Sequence, residues 1–270
     1  MKKALTYLTL IYLLFLLLLA FSGFIGGAMG NIIYYLAFLI PAVVAVILKK
    51  GLDTAPEFLS LKLSGANAVL LAPLIAPTLL LVFFISWLVS LLLSFIGGAN
   101  VTDVSGNIIK VILTHAVLTS VCEELLFRYI PLAFLSPLTK RGAVLISALF
   151  FAFAHCNLYQ IPYAFAAGII FAAIDLAFGS IWPSVLIHFA NNLLSIFWLR
   201  NADNPGFTTV YIVLLLCFAV ISLAVLIVRR VRYKEILSDT FGEKCKYELS
   251  YEPLIFFAVS LAVAMLNLWL

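Results

Sequence analysis

Long apolar runs separated by short polar stretches recur along the whole chain. A membrane-crossing helix needs about 20 consecutive apolar residues. Nine segments of that kind are read at about 4–25, 31–48, 67–96, 108–135, 142–158, 161–178, 181–199, 208–228 and 253–270. The third carries Pro73 and Pro77 and is predicted to kink or tilt. The pattern predicts an all-α fold, a polytopic transmembrane helical bundle with eight core spans and a ninth if residues 253–270 cross. No internal repeat, low-complexity tract or separate soluble domain interrupts it, so residues 1–270 read as one integral membrane domain. The opening "MKK" followed by an apolar run resembles a signal peptide, but the run exceeds the usual ~7–15-residue core. A retained first span is expected.

Composition strengthens this picture. The 270 residues are 65% hydrophobic and 10% charged, with a mean hydropathy of +1.21. Soluble domains average about 45–50% apolar and about 25% charged, so a soluble fold is excluded. The net charge of +4 is spread over short clusters, which argues against a nucleic-acid partner. Cys122, Cys156, Cys217 and Cys245 show neither a disulfide framework nor zinc-ribbon spacing.

The clusters carry topological information. Lys2 and Lys3, then Lys49, Lys50 and Lys62, then Lys140 and Arg141, then Arg229, Arg230, Arg232, Lys234, Lys244 and Lys246 all fall on one side of the alternating spans. The positive-inside rule makes that side, and the N-terminus, cytoplasmic. The opposite loops hold Asp103, Lys110, Arg200 and Asp203. The triplet Asn100–Thr102 ("NVT") would face outward, as a glycosylation acceptor only where the cell glycosylates.

Charges inside spans are costly, about 2.5–3.5 kcal/mol each on insertion scales, and mark functional sites. Within the predicted spans stand His115, Glu123, Glu124, Arg128, His155, Asp175 and His188. In the run "VCEELLFRYI", Glu124 and Arg128 are spaced i,i+4 on one helix face, while Glu123 is turned about 100° away. One acid can then pair with the arginine and the other can face a cavity as a general base. Phe151 and His155 share a face of the fifth span, and His188 and Asn192 share a face of the seventh with Asn191 beside them. At 1.5 Å per residue, Glu123 and His155 lie about 20 Å, and His188 about 10 Å, from the nearest predicted cytoplasmic end. The levels overlap enough for a single intramembrane site.

Three motifs resemble those of the CAAX prenyl protease and bacteriocin-processing family (CPBP, also called Abi), and most of all its type II CAAX prenyl endopeptidases. "EELLFR" at Glu123–Arg128 resembles E-E-x-x-x-R, "FAFAH" at Phe151–His155 resembles F-x-x-x-H, and "HFANN" at His188–Asn192 resembles H-x-x-x-N. They stand in the family's order on separate spans, within a motif-bearing core of about residues 108–199. The resemblance implies an intramembrane endopeptidase, a glutamate protease that removes the C-terminal tripeptide of prenylated CAAX proteins. It implies that Glu123 and His155 activate a water, that His188 and Asn192 stabilise the oxyanion, and that Glu124 and Arg128 support them. His115 and Asp175 match no motif. His115 is read as supporting the site from behind, and Asp175 as structural or near the cavity mouth.

The chemistry fits the residues without the name. Amide hydrolysis needs a base for water, an acid for the leaving amine and donors for the oxyanion. A prenylated or otherwise lipid-associated peptide suits a site within the bilayer. A lateral opening would admit its lipid tail and a cytoplasmic opening its peptide. No cofactor is required. Zinc is the alternative, since two histidines and a glutamate form a common ligand set, here Glu123, His155 and His188. The other alternative is a non-proteolytic scaffold or bacteriocin immunity protein on the same fold.

Overall fold

A computed structural model of the chain describes residues 2–49, 65–94, 104–135, 139–241 and 252–267. Lys50, Lys62, the Asn100–Thr102 triplet, Asp103, Lys244, Cys245 and Lys246 lie outside the described residues. The described fold is all-α. Its helices are α1 (Lys2–Ile25), α2 (Gly27–Lys49), α3 (Gly65–Leu93), α4 (108–134), α5 (Lys140–Ala154), α6 (Ile161–Phe178), α7 (Trp182–Asn201), α8 (Pro205–Val228), α9 (Arg230–Phe241) and α10 (Glu252–Leu266).

Local chemistry sets the boundaries. Gly26 and Gly27, both at positive φ, turn α1 into α2. The Asn107 side chain accepts from the Ile109 and Lys110 amides and starts α4, and Thr139 caps α5 in the same way. Gly179, at φ 66°, ends α6. Asn204 caps α8, with Pro205 in its first turn.

Five helices are long and apolar enough to cross a membrane, namely α1, α2, α3 from Leu70, α6 and α8. The helices that carry the motif residues are the less apolar or more irregular ones. α4 contains two wide π-helical stretches, Ile112–Leu118 and Leu125–Tyr129. α5 has only 15 residues. It ends at Ala154 rather than running on to about residue 158 as expected, because Cys156 adopts φ 48° and the chain turns there. α9, rich in arginine and lysine, was not among the expected spans.

Two larger packed clusters hold the bundle, and a smaller one joins Val111 and Ala116 of α4 to Ile196 of α7. In the first, Tyr12 and Phe15 of α1, Phe38 of α2, Phe127 of α4, Phe150 of α5 and Phe256 of α10 form one buried aromatic cluster. In the second, Leu71, Leu79 and Val82 of α3 pack with Phe171 of α6, Ile187 of α7 and Leu215 of α8. α5 joins them by lying close on α6. A Cβ on Gly168 would stand 3.0 Å from the Ala148 Cα, tighter than ordinary contact, so the approach favours glycine.

Hydrogen bonds between distant segments identify the two ends of the bundle. At one end the Tyr233 hydroxyl donates to the Leu70 carbonyl at 2.7 Å. At the other, Arg200 Nη2 donates to the Gly106 carbonyl at 2.8 Å and the Tyr159 hydroxyl to the Leu93 carbonyl at 3.3 Å. Consecutive long helices therefore alternate in direction, and the described basic clusters gather at the Tyr233 end.

Candidate active site

The π-helical stretches of α4 change what its backbone offers. In a π-turn the amide reaches back five residues, as from Ile130 to the Leu125 carbonyl. Neighbouring carbonyls then accept side chains. The Leu126 carbonyl accepts the Tyr12 hydroxyl at 2.9 Å, and the Phe127 carbonyl accepts Ser147 Oγ at 2.6 Å and Arg128 Nη1 at 3.0 Å. α1 and α5 are thus pinned to the turn that carries Arg128.

Glu124 and Arg128 pair as their spacing predicts. Arg128 Nε lies 3.3 Å from Glu124 Oε2, and both side chains are fully buried. The guanidinium carbon sits 4.1 Å from the centre of the Phe151 ring. That cation–π contact faces the buried cation where Nη2 has no hydrogen-bond partner among the described residues. The first residue of "FAFAH" thereby acquires a role, which its carbonyl extends by accepting from His155 Nδ1 at 2.9 Å. A carbonyl only accepts, so Nδ1 carries the proton, and Nε2 of neutral His155 presents a lone pair.

His188 links the two glutamates. Its Nδ1 lies 2.8 Å from Glu124 Oε1, and its Nε2 lies 3.7 Å from Glu123 Oε2. The second distance exceeds a direct hydrogen bond. The Glu123 side chain is 15% exposed and that of Glu124 is 0% exposed, which separates the neighbours into a cavity-facing and a sealed acid.

His188 is held in register from below. Asp175, at the end of α6, accepts from the Ser184 amide at 2.9 Å and from the Ser184 hydroxyl at 2.6 Å. Ser184 lies one turn before His188, so this cap fixes the rotation of α7. Asp175 is fully buried at the closed side of the site and does not stand at the cavity mouth. Sequence reasoning missed the Ser184 contact, and the i,i+4 spacing to His188 was its only signal.

A cavity of about 820 Å³ opens beside these groups. Glu123, His115, His155, His188, Asn191 and Asn192 all line it. The structure therefore brings the four candidate catalytic residues to one cavity, with Glu124 and Arg128 behind them. Asn192 is otherwise engaged. Its amide donates to the His115 carbonyl at 3.1 Å and to Ser120 Oγ at 3.4 Å, and Asn191 donates to Asn192 Oδ1 at 3.3 Å. His188 and Asn192 thus do not aim two donors at one point in this arrangement. His115 contributes its carbonyl to Asn192, while its ring Nδ1 meets Thr114 Oγ1 at 2.8 Å.

The zinc alternative needs three of these side chains to converge. Among the described residues, no group of three or more His, Cys, Asp or Glu side chains is arranged to hold a metal ion. His155 Nδ1 rests on the Phe151 carbonyl and His188 Nδ1 on Glu124, contacts that leave the Nε2 of each ring toward the cavity.

No curated protein and no solved structure matches the chain. Its apolar helices make it a multi-pass integral membrane protein. Residues 105–194, which hold all three motifs, match the model of a protease family described as Type II CAAX prenyl endopeptidase Rce1-like, and over that segment the resemblance to the CAAX protease family is borne out.

Proposed function

We propose that the chain is an intramembrane endopeptidase that hydrolyses a peptide bond close to a lipid-anchored residue, as in removal of the C-terminal tripeptide from a prenylated CAAX protein. In this reading α1 to α8 cross the membrane, with the N-terminus cytoplasmic. The observation that carries it is the convergence of Glu123 and the free nitrogen of His155 on one cavity, beside a histidine held by a sealed ion pair.

Each group has a role that its geometry supports. Glu123 accepts a proton from water, and His155 Nε2 accepts the second hydrogen bond that orients that water. The water oxygen bonds to the scissile carbonyl carbon, and the abstracted proton passes to the leaving nitrogen as the C–N bond breaks. His188 in its doubly protonated form donates Nδ1–H to Glu124 and offers Nε2–H to the oxyanion. The Asn192 amide joins it by turning from the His115 carbonyl. Glu124 and Arg128 fix His188 and touch no substrate.

α5 supports a site inside the bilayer. Its 15 residues span about 22 Å at 1.5 Å per residue, less than a hydrocarbon core of about 30 Å. The turn at 155–160 therefore lies below the surface. Irregular backbone is tolerated at such depth where it lines a water-filled cavity.

The test offers a prenylated CAAX peptide to the purified protein in liposomes and compares wild type with Glu123→Gln, each with and without a strong chelator. Cleavage lost in the variant and unchanged by chelator is expected. Equal cleavage by both proteins would sink the assignment of Glu123, and activity lost to chelator and restored by zinc would replace it with the metal reading.

A further inference from the structure

Tyr163 of α6 shares the cavity wall with Glu123, His155 and His188. The close approach of Gly168 to Ala148 sets the register of antiparallel α5 and α6. Five residues back from Gly168 and five forward from Ala148, Tyr163 comes level with Phe153, between Phe151 and His155. Tyr163, Ala167 and Phe171 are spaced i,i+4 and all line the cavity, so one face of α6 forms this wall. Toward one end of it the Phe171 ring lies 5.7 Å from the His188 ring. Toward the other, Tyr163 is close enough to Glu123 for that charge to act on its phenol.

The Tyr163 hydroxyl is uncommitted. Tyr12, Tyr159 and Tyr233 donate theirs to the carbonyls of Leu126, Leu93 and Leu70. A buried tyrosine ordinarily finds such a partner. The Tyr163 hydroxyl has none among the described residues, although its ring packs against both larger clusters. Nor is it among the polar atoms sealed from open space, so it presents to the cavity. A phenol keeps its proton at neutral pH and donates. Glu123 and Tyr163 do not bond each other, and the gap between them leaves room for a water and the carbonyl it attacks. The Asn192 amide, by contrast, is held by the His115 carbonyl and Ser120.

We propose that Tyr163 is a further catalytic residue, whose hydroxyl donates to the scissile carbonyl oxygen and stabilises it as the oxyanion forms. The inference rests on the peptidase reading and adds a donor to it. Attack by water places negative charge on that oxygen, and a hydrogen bond to an ionised acceptor is about twice as strong as one to a neutral acceptor. The contact therefore strengthens toward the transition state, which is what raises kcat. The proton stays on the phenol throughout, so the proton taken by Glu123 still passes to the leaving nitrogen. Tyr163 joins His188 Nε2–H at the oxyanion without first releasing a partner, as Asn192 must.

The test gives a prenylated CAAX peptide to the full chain in liposomes and compares wild type, Tyr163→Phe, Tyr211→Phe and Glu123→Gln. Tyr163→Phe keeps the ring in both clusters and removes only the hydroxyl. Its kcat should fall about 10²–10³-fold, the range for losing one oxyanion donor, with KM within twofold and the melting temperature unchanged. Tyr211 also lines the cavity, but its ring sits against Trp198 and Phe207, and Tyr211→Phe should keep the wild-type kcat. Binding gives a second readout. A prenylated peptidyl trifluoromethyl ketone, which hydrates to a tetrahedral diol, should bind Tyr163→Phe at least tenfold more weakly than wild type. The intact peptide should bind Glu123→Gln equally with and without Tyr163→Phe. A kcat for Tyr163→Phe within threefold of wild type, beside an inactive Glu123→Gln, would overturn the inference and leave the peptidase reading standing. Equal losses of ketone and peptide affinity would make the hydroxyl a ground-state contact and overturn it as well. Wild-type protein that neither cleaves the peptide nor binds the ketone would overturn the peptidase reading for this substrate, and the role of Tyr163 with it.

Discussion

Glu123 and Glu124 are neighbours in the chain and belong to different regions of the molecule. Glu124 sits in a sealed layer with Arg128, His188 Nδ1, Asp175 and Ser184, where nearly every polar contact is internal. Glu123 stands on the wall of an open cavity with His155 and Asn192, where its carboxylate lies 3.7 Å from His188 Nε2, beyond a direct hydrogen bond. One residue of helical rotation separates an acid used for structure from an acid available for chemistry. Substitutions in the two regions should therefore affect different observables.

The largest effect is expected in the open region and on rate alone. Glu123→Gln should lower peptide cleavage by about 10²–10⁴-fold, the range for losing a positioned general base, and leave the melting temperature in detergent unchanged. A large loss of stability instead would place Glu123 in the sealed layer and erase the comparison.

In the sealed layer the effect should appear first in stability. Arg128→Ala leaves the fully buried Glu124 without its cation, a change that costs about 3–5 kcal/mol. The double variant Glu124→Leu, Arg128→Met sharpens the contrast. Replacing a buried ion pair with apolar residues is often neutral or stabilising by about 1–4 kcal/mol, so its melting temperature should recover relative to Arg128→Ala. Cleavage should not recover, because His188 Nδ1 has lost its acceptor. Recovery of both would mean that Glu124 acts only by balancing Arg128.

A smaller effect belongs to the base of the layer. Ser184→Ala removes the hydroxyl that donates to Asp175 and keeps the amide that also does so. A loss of about 1–3 kcal/mol is expected for a buried acceptor deprived of one donor. If the cap sets the rotation of α7, kcat should fall more than KM rises. Unchanged kcat with lowered stability would reduce Ser184 to a fold contact.

Much of this division was legible in the sequence. The i,i+4 spacing of Glu124 and Arg128 and the 100° offset of Glu123 anticipated the sealed and open acids, and the helix order anticipated the bundle. What escaped depends on contacts between distant segments. Nothing near Leu126 or Phe127 announces that π-turns offer their carbonyls to Tyr12 and Ser147. Spacing placed His188 and Asn192 on one face, but not His188 between two glutamates or Asn192 on the His115 carbonyl. No single helix's spacing announces the cavity, which takes the packing of α3, α6 and α7 together.

The smallest effect concerns how the open wall is kept in place. His155 caps α5, and the next residue, Cys156, holds φ 48°, a left-handed conformation that costs a non-glycine residue about 1–2 kcal/mol. The Cys156 carbonyl accepts Asn267 Nδ2 at 3.0 Å, so α10 holds the turn that aims His155. Asn267→Ala should cost about 1 kcal/mol, the net worth of one such hydrogen bond, and lower kcat a few-fold with KM little changed. Cys156→Gly should leave stability nearly even, since relief of the left-handed conformation offsets about 0.4–1 kcal/mol of added chain entropy in the unfolded state. The informative variant carries both changes. If α10 acts by holding the turn, the freed glycine backbone should lose more cleavage on Asn267→Ala than the strained cysteine does, because among the described residues the Asn267 amide is what ties that carbonyl down. Equal losses in the two backgrounds would confine Asn267 to anchoring α10 and leave the aim of His155 to the Phe151 carbonyl alone.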